Sequence, residues 1–163
     1  SVYYRFMFDV YIHGFDIGVD YQSLGNAGSD SDRDGFNMPF ANLHKYQGFA
    51  DVFLMSTSGL TDGNKKGLTD FAYLLSYTCE TWGKLALAYH VFSSIDEYTD
   101  KDGNIDSTKD LGSEFDFQYT VKIPKINNVS ALVKGAFYTG GDAAAYSTDV
   151  TKYWVGLDYK FGS

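Results

Sequence analysis

Large apolar residues occupy every second position in seven stretches of this chain, and polar or small residues alternate with them. These stretches are residues 2–12, 15–21, 71–77, 84–91, 114–122, 129–137 and 151–161. A period of two places successive side chains on opposite faces of a β-strand. The pattern therefore predicts an all-β fold of seven strands. An eighth strand is added if residues 46–53 are extended as well.

The connections between these strands alternate between short and long. Short turns fall at residues 13–14, 78–83 and 123–128, and long polar segments fall at 24–67, 93–112 and 139–150. Bacterial outer-membrane barrels join antiparallel strands by short periplasmic turns and longer extracellular loops. We therefore expect residues 1–163 to form one antiparallel transmembrane β-barrel, or part of one, with the three long segments outside the cell.

The composition favours a membrane rather than a nucleic acid as the partner of this chain. Aromatic residues make up 18% of the sequence, with 14 Tyr and 13 Phe, which suits the aromatic girdles of a membrane barrel. The formal net charge of −8 argues against nucleic-acid binding. A soluble antiparallel sandwich or barrel carries the same alternation, with its apolar face inward. That class stays open as an alternative.

The last strand, residues 151–161, ends in Phe161. A terminal strand of this kind resembles the C-terminal insertion signal of bacterial outer-membrane barrels. The resemblance implies an outer-membrane location and the lipid bilayer as a partner. Because such a signal normally ends on the aromatic residue, Gly162 and Ser163 are predicted to be a cloning remnant.

Five further segments carry a resemblance to one family. They are His-Lys-Tyr-Gln-Gly-Phe-Ala-Asp at 44–51, Gly-Leu-Thr-Asp-Phe at 67–71, Gly-Lys-Leu at 83–85 with Tyr-His-Val-Phe at 89–92, Gly-Ser-Glu-Phe-Asp at 112–116, and Asp-Val-Thr-Lys-Tyr-Trp at 149–154. In order and spacing they resemble the C-terminal part of the alginate-export family of outer-membrane β-barrels. The resemblance implies a large, porin-like barrel that passes polysaccharide or small solutes passively. The seven strands would be its C-terminal portion, completed by upstream sequence, a second polypeptide or a second copy.

The polar faces of the predicted strands would line the lumen of such a barrel. The predicted lining residues are Arg5, Asp9, Asp16, Asp20, Asp70, Lys84, His90, Glu114, Asp116, Gln118, Lys122, Lys134, Lys152, Asp158 and Lys160. Bases and acids are nearly balanced among them, whereas a carrier of a polyuronate is expected to have a strongly basic lumen. Ion pairs across neighbouring strands are the alternative role for these charges.

The long segments contain two further kinds of candidate site. His44, Lys45 and Asp51 lie in a polar, aromatic-rich part of segment 24–67 that is predicted to fold back and narrow the lumen. The alternative is that Tyr46, Phe49 and Phe53 only anchor this loop to the rim. Oxygen ligands at alternate positions suit Ca²⁺. Asp30, Asp32 and Asp34 form one such run, and Asp100, Asp102, Asn104 and Asp106 form a second. Solvated turns are the alternative for both runs.

The sequence contains no arrangement that points to catalysis or to a tightly bound cofactor. The three His residues fall in a turn, a loop and near a strand end. Outer-membrane lipid hydrolases use a Ser-His pair on the lipid side, whereas His90 is predicted to face inward, and Ser93 and Ser94 lie beyond its strand. The chain is therefore not predicted to be an enzyme. The resemblance to outer-membrane barrels predicts a passive channel instead. A small closed eight-stranded barrel with a structural or adhesion role and a soluble all-β binding domain are the other two function classes.

Overall fold

The protein is seen in a computed structural model that describes residues 3–25, 48–53, 66–124, 126 and 128–161. Its strands are β1 (Tyr3–Ile12), β2 (Phe15–Leu24), β3 (Leu68–Cys79), β4 (Gly83–Tyr98), β5 (Thr108–Lys122), β6 (Val129–Gly140) and β7 (Val150–Tyr159). The predicted all-β class and the seven predicted strands are confirmed. Within the described ranges, helical structure is limited to a 3-10 turn at Ala144–Tyr146, and no helix there could cross a membrane.

The seven strands form a single sheet in chain order, β1 to β7, and each strand is antiparallel to the next. Hydrogen-bonded neighbours are therefore always consecutive in sequence. β1 and β7 are the two edges of this sheet, and the described strands include no pairing between them. The sheet is thus open, as expected for seven antiparallel strands, whose first and last members run parallel.

Several strands are longer than the alternation predicted. β4 continues to Tyr98 and β5 begins at Thr108, so the predicted loop 93–112 is strand at both ends. Tyr98 pairs with Thr108, and the register shifts between Phe92 and Ser93. The alternation does not show this extension because Ser, Asp and Glu occupy both faces there. Segment 139–150 likewise contributes Thr139 and Gly140 to β6 and Val150 to β7.

The eighth strand expected from residues 46–53 does not form in the described part of that segment. Residues 48–53 consist of bends and turns. Gly48 has a φ of 80° and Asp51 a φ of 56°, and both values interrupt an extended backbone. The backbone N–H groups of Phe49 and Ala50 donate to side-chain carboxylates instead of to a neighbouring strand.

The two faces of the sheet differ in chemistry, as the alternation predicts. One face, called here the apolar face, presents Phe6, Ile17, Leu75, Leu87 and Val155. These side chains are exposed in the described structure apart from Leu87, and Val155 reaches 83%. The opposite, polar face carries the charged residues, and residues 48–53 pack on it.

The buried apolar residues lie at the loop end of the polar face. Phe53 is central there, with its ring centroid 4.5 Å from that of Phe92 and 5.2 Å from that of Tyr146. The Tyr138 hydroxyl lies within hydrogen-bonding reach of the carbonyl oxygens of Leu111 and Tyr146. This cluster fixes residues 48–53 and the Ala144–Tyr146 turn against the sheet.

Candidate functional site

The predicted lining residues share the polar face, apart from Lys160, which directly follows β7. The register explains this, because each cross-strand row contains residues of one face only. One such row runs from Asp20 through Ala72, His90 and Glu114 to Tyr138. The polar face is therefore a continuous surface across the sheet.

Arg5 and Asp20 form a bidentate ion pair between β1 and β2. Arg5 Nε donates to Asp20 Oδ1 over 2.9 Å, and Nη2 donates to Oδ2 over 2.6 Å. Gln22 Nε2 also donates to Asp20 Oδ2, over 3.1 Å. The Asp20 carboxylate is almost fully buried, so these three donors compensate for its loss of water.

His90 joins two acids from different strands. Its Nδ1 lies 3.0 Å from both carboxylate oxygens of Asp70, on β3. Its Nε2 lies 3.8 Å from Asp116 Oδ2, on β5. The His90 ring stacks on Phe92, with an interplanar angle of 9°. The stacking and the Asp70 contact fix the orientation of the imidazole.

Glu114 and Asp116 hold residues 48–53 against the sheet. The Ala50 N–H donates to Glu114 Oε1 over 2.6 Å, and the Phe49 N–H donates to Asp116 Oδ2 over 2.9 Å. Both acids are buried, at 0% and 1% exposure. Gly48 approaches so closely that an added Cβ would lie 2.6 Å from the Glu114 carboxyl group. Only glycine fits this approach and the positive φ together.

Lysines from β6 and β7 hold the other side of the same segment. Lys134 Nζ lies 4.6 Å from the centre of the Phe49 ring and 4.9 Å from that of Trp154. Lys152 Nζ lies 3.4 Å from Asp51 Oδ2. Asp51, a predicted constriction residue, therefore lies on the polar face. His44 and Lys45, the other two, lie outside the described residues.

A cavity of about 280 Å³ lies beside residues 48–49 on the β1–β5 side. Its charged lining comes from Arg5, Asp9, Asp16, Asp20, His90 and Asp116. β6 and β7, which carry Lys134 and Lys152, do not contribute to the lining in the described residues. Residues 48–49 thus lie between this cavity, whose lining holds more acids than bases, and the two lysines of β6 and β7, Lys134 and Lys152.

Not every predicted lining residue takes part in this cluster. Lys84, Lys122, Asp158 and Lys160 lie near the short turns, at the end of the polar face away from residues 48–53. Within the described part of the chain, these four residues form no ion pair. Gln118 lies between the two regions, opposite Ala86 and Lys134.

The second predicted Ca²⁺ run, at residues 100–106, folds as a turn around one of its own side chains. Asp100 accepts hydrogen bonds from the backbone N–H groups of Asp102 and Asn104 and from Asn104 Nδ2. The bonds from Asn104 lead the effects that lower the pKa of Asp100 to about 2. Nearby, the ion pair with Asp142 raises the pKa of Lys101.

The described residues contain no cluster of three or more His, Cys, Asp or Glu side chains arranged for a metal ion. Asp106 instead pairs with Lys66, with 3.3 Å between Nζ and Oδ1. The first predicted run, Asp30, Asp32 and Asp34, lies outside the described residues. Ca²⁺ binding in these loops stays a prediction.

Three aromatic residues contribute to the site; Phe49 and Phe53 were predicted as alternative anchors of the loop, and Trp154 was not predicted. Trp154 and Phe49 pack edge to face, with centroids 6.4 Å apart, and Phe53 enters the buried cluster. Trp154 is the one residue that breaks the alternation of the last strand, which was a signal that it lies on the polar face. The contacts of Phe49 and Phe53 are long-range, and no local pattern could predict them.

Comparison with known proteins gives no match to a protein-family model, a curated protein or a solved structure. The resemblance to the alginate-export family therefore stays a prediction from the sequence segments alone.

Proposed function

We propose that this chain is part of an outer-membrane β-barrel that acts as a porin-like passive channel for small solutes. The apolar face of the sheet would contact lipid, and the polar face would line an aqueous lumen narrowed by residues 48–53. The observation that carries the proposal is the arrangement of a largely apolar and mostly exposed face opposite a charged face on which a loop segment is fixed.

The apolar face supports contact with lipid. Aliphatic residues of adjacent strands form one row, Val10, Ile17, Leu75 and Leu87. Aromatic residues flank this row on both sides: Tyr73, Tyr89, Phe115 and Phe137 toward the loops, and Phe15, Tyr77 and Tyr119 toward the turns. Soluble monomers rarely expose apolar patches larger than a few hundred Å². An outward-facing apolar surface that includes aromatic residues is typical of outer-membrane barrels.

The open edges of the sheet support the proposal that further strands complete a barrel. In hydrocarbon, the unpaired N–H and C=O groups of β1 and β7 would each cost several kcal/mol. An odd number of added strands makes the total even and lets every pair remain antiparallel. Those strands can come from further sequence of the same polypeptide or from another chain.

Conductance across a planar bilayer tests the proposal. The protein, expressed in a Gram-negative host together with any strands that complete its barrel, should require detergent for its extraction from the outer membrane. After extraction it should insert into the planar bilayer and give stepwise increases in current. Protein that partitions into the aqueous fraction without detergent, and gives no current, would contradict both the location and the channel function.

A structural or adhesion role is the second candidate function, and one observation favours it. The buried cluster around Phe53 and Tyr138 fills the loop end of the polar face. A barrel filled in this way would insert into the bilayer without passing ions. Insertion without current therefore favours the structural role over the channel.

A further inference from the structure

We propose that Glu114 and Asp116 share one proton, and that loss of this proton releases residues 48–53 from the polar face. The two acids would then act as a pH-sensitive latch on this segment. The effect of release on conductance rests on the proposed channel function, whereas the latch itself is a property of the sheet and is tested separately below.

The two carboxyl groups are neighbours on one face of β5. Residues two positions apart along a strand point to the same side of the sheet. A side-chain hydrogen bond joins Glu114 to Asp116. Because ionised carboxylates can only accept hydrogen bonds, this bond requires a proton on one of the two groups.

The other contacts of the two acids leave room for one proton. Glu114 Oε1 accepts the Ala50 N–H, and Asp116 Oδ2 accepts the Phe49 N–H. The second oxygens, Glu114 Oε2 and Asp116 Oδ1, are buried, and no other group of the described structure donates to them. Buried acceptors without a donor cost free energy. A proton held between the two carboxyl groups supplies the missing donor.

The charges around the two acids offset only one ionised carboxylate. Three acids nearby have basic partners of their own: Asp20 with Arg5, Asp70 with His90, and Asp51 with Lys152. The Tyr138 hydroxyl is uncharged and donates to a backbone carbonyl. Lys134 is the remaining cation among the groups that face the two acids, which are Asp20 on β2, Asp70 on β3, His90 on β4, Lys134 and Tyr138 on β6, Lys152 on β7 and Asp51 in the segment.

Residues 48–53 keep water away from the two acids. Glu114 and Asp116 are 0% and 1% exposed, and Gly48 lies directly against the Glu114 carboxyl group. Two adjacent carboxylates repel each other strongly when they are buried, and much less when water surrounds them. The covered state therefore favours the protonated pair, and the released state tolerates its ionisation. By linkage, the segment is held at low pH and released as the pH rises through the titration of the covered pair.

His90 is the competing explanation for a pH-dependent release. It lies opposite Glu114 in the register, and its Nε2 is 3.8 Å from Asp116 Oδ2. Histidine changes its charge close to neutral pH. Loss of a positive charge at His90 would also weaken the hold on the segment as the pH rises, so the test requires variants of both groups.

Hydrogen exchange of the Phe49 and Ala50 amides, followed by NMR between about pH 5 and about pH 9, tests the inference. The protein is studied in detergent together with any strands that complete its barrel. The protection factor, which corrects for the intrinsic pH dependence of exchange, should be constant at low pH. It should then fall by about tenfold per pH unit, because release loses one proton. Amides of the β3–β4 pairing are the internal reference and should keep their protection.

Glu114→Gln should remove this pH dependence. The glutamine amide replaces a protonated acid, because its NH2 group can donate to Asp116 while its carbonyl accepts the Ala50 N–H. Asp116→Asn should have the same effect and is the second variant if the first does not fold. Asp158→Asn is the matched control, since it removes an acid from the same face near the short turns, and it should retain the fall in protection. His90→Gln should retain it as well.

Three results would overturn the inference. They are a protection factor that does not change over this pH range, an unchanged fall in Glu114→Gln, and loss of the fall in His90→Gln, which would assign the effect to the histidine. Conductance is recorded over the same pH range. If residues 48–53 narrow the pore, conductance should rise with pH in the unaltered protein and not in Glu114→Gln. A preparation that shows the change in protection but passes no current refutes the channel alone.

Discussion

The backbone N–H of Ala50 donates a 2.6 Å hydrogen bond to Glu114 Oε1, joining residues 64 positions apart in the sequence. This bond and the neighbouring bond from Phe49 to Asp116 fix a loop segment to the middle of the sheet. The position of the segment is therefore set by two acids of β5.

Gly48→Ala should displace this segment. The added Cβ would collide with the Glu114 carboxyl group, and the φ of 80° is unfavourable for alanine. We expect a loss of about 1–3 kcal/mol in the free energy of unfolding, measured by urea titration in detergent. If the segment narrows the pore, single-channel conductance should also rise.

Gly103→Ala is the matched control for that variant. Gly103 has a similar φ of 91°, but an added Cβ there would meet no atom within 4 Å. Its unfolding free energy should fall less than that of Gly48→Ala, and conductance should stay the same. Equal effects of the two substitutions would show that backbone strain alone, and not the contact with Glu114, is responsible.

The Arg5–Asp20 pair should show a measurable coupling in a double-mutant cycle. Arg5→Met and Asp20→Asn, alone and together, should give a coupling free energy of about 0.5–3 kcal/mol. The double-mutant cycle is needed because Arg5 has further contacts. The contributions of those contacts cancel in the coupling free energy. Urea unfolding in detergent provides the four free energies.

Lys101 and Asp142 provide the comparison for that cycle. Their side chains are 2.7 Å apart but more than half exposed, at 59% and 52%. An exposed pair of this kind is worth about 0.2–1 kcal/mol. A coupling at Arg5–Asp20 no larger than that of this pair would contradict a structural role for the β1–β2 contact.

The membrane interpretation predicts that arginine is tolerated on one face of β7 and not on the other. Val155→Arg should reduce the folding free energy in lipid by up to the about 2–4 kcal/mol that arginine costs at the middle of a bilayer. Val155 lies in the row of Tyr119 and Tyr77, next to the aliphatic row. Gly156→Arg, one residue along, should cost clearly less. Gly156 lies on the polar face, and the nearest atom to an added Cβ is 3.9 Å away. Equal costs at the two positions would exclude lipid on the apolar face.

Asp100 should titrate at an unusually low pH. The hydrogen bonds from Asn104 lower the pKa of Asp100 from 3.8 to about 2. A lowered pKa in the folded protein means that this carboxylate stabilises the turn above pH 4, and that the contribution is lost as the pH falls through about 2. Carboxyl-carbon NMR of the folded protein should show this midpoint. Asn104→Ala should move it toward 3.8, whereas Ile105→Ala, in the same turn, should not.

The first acidic run, Asp30, Asp32 and Asp34, makes a separate prediction about Ca²⁺. The run at 30–34 is expected to bind Ca²⁺ with a dissociation constant of about 10⁻⁴–10⁻³ M, as extracellular modules do. Titration calorimetry of the unaltered protein and of Asp32→Asn should show heat that the variant lacks. Identical heats from the two proteins, or no heat, would remove this site.

The alternation of side chains was sufficient to predict the sheet but not what lies on it. The strand predicted at 2–12 is β1 (Tyr3–Ile12), and the strand predicted at 151–161 is β7 (Val150–Tyr159). Both have one apolar face, which is the signal that a period of two detects. The end of β4 has polar residues on both faces, so its extension to Tyr98 gave no such signal.

The polar face was predictable residue by residue, whereas its partners were not. The alternation of side chains along each predicted strand was enough to place Glu114, Asp116 and Lys134 on one face. Their contacts with Phe49 and Ala50 depend on how segment 48–53 folds back, which is decided by backbone bonds to side chains more than 60 positions away. The positive φ of Asp51 could not be inferred, because most non-glycine residues avoid that region.

Spin-label accessibility along β7 in lipid tests the membrane-embedded sheet most directly. Labels would be placed singly through Val155→Cys, Gly156→Cys and Leu157→Cys in a Cys79→Ser background, and probed with oxygen, which partitions into lipid, and with a water-soluble nickel chelate. A membrane-embedded sheet predicts high oxygen accessibility at 155 and 157 and high nickel accessibility at 156. Labels at 155 and 157 that are accessible to nickel, or shielded from both reagents, would contradict it.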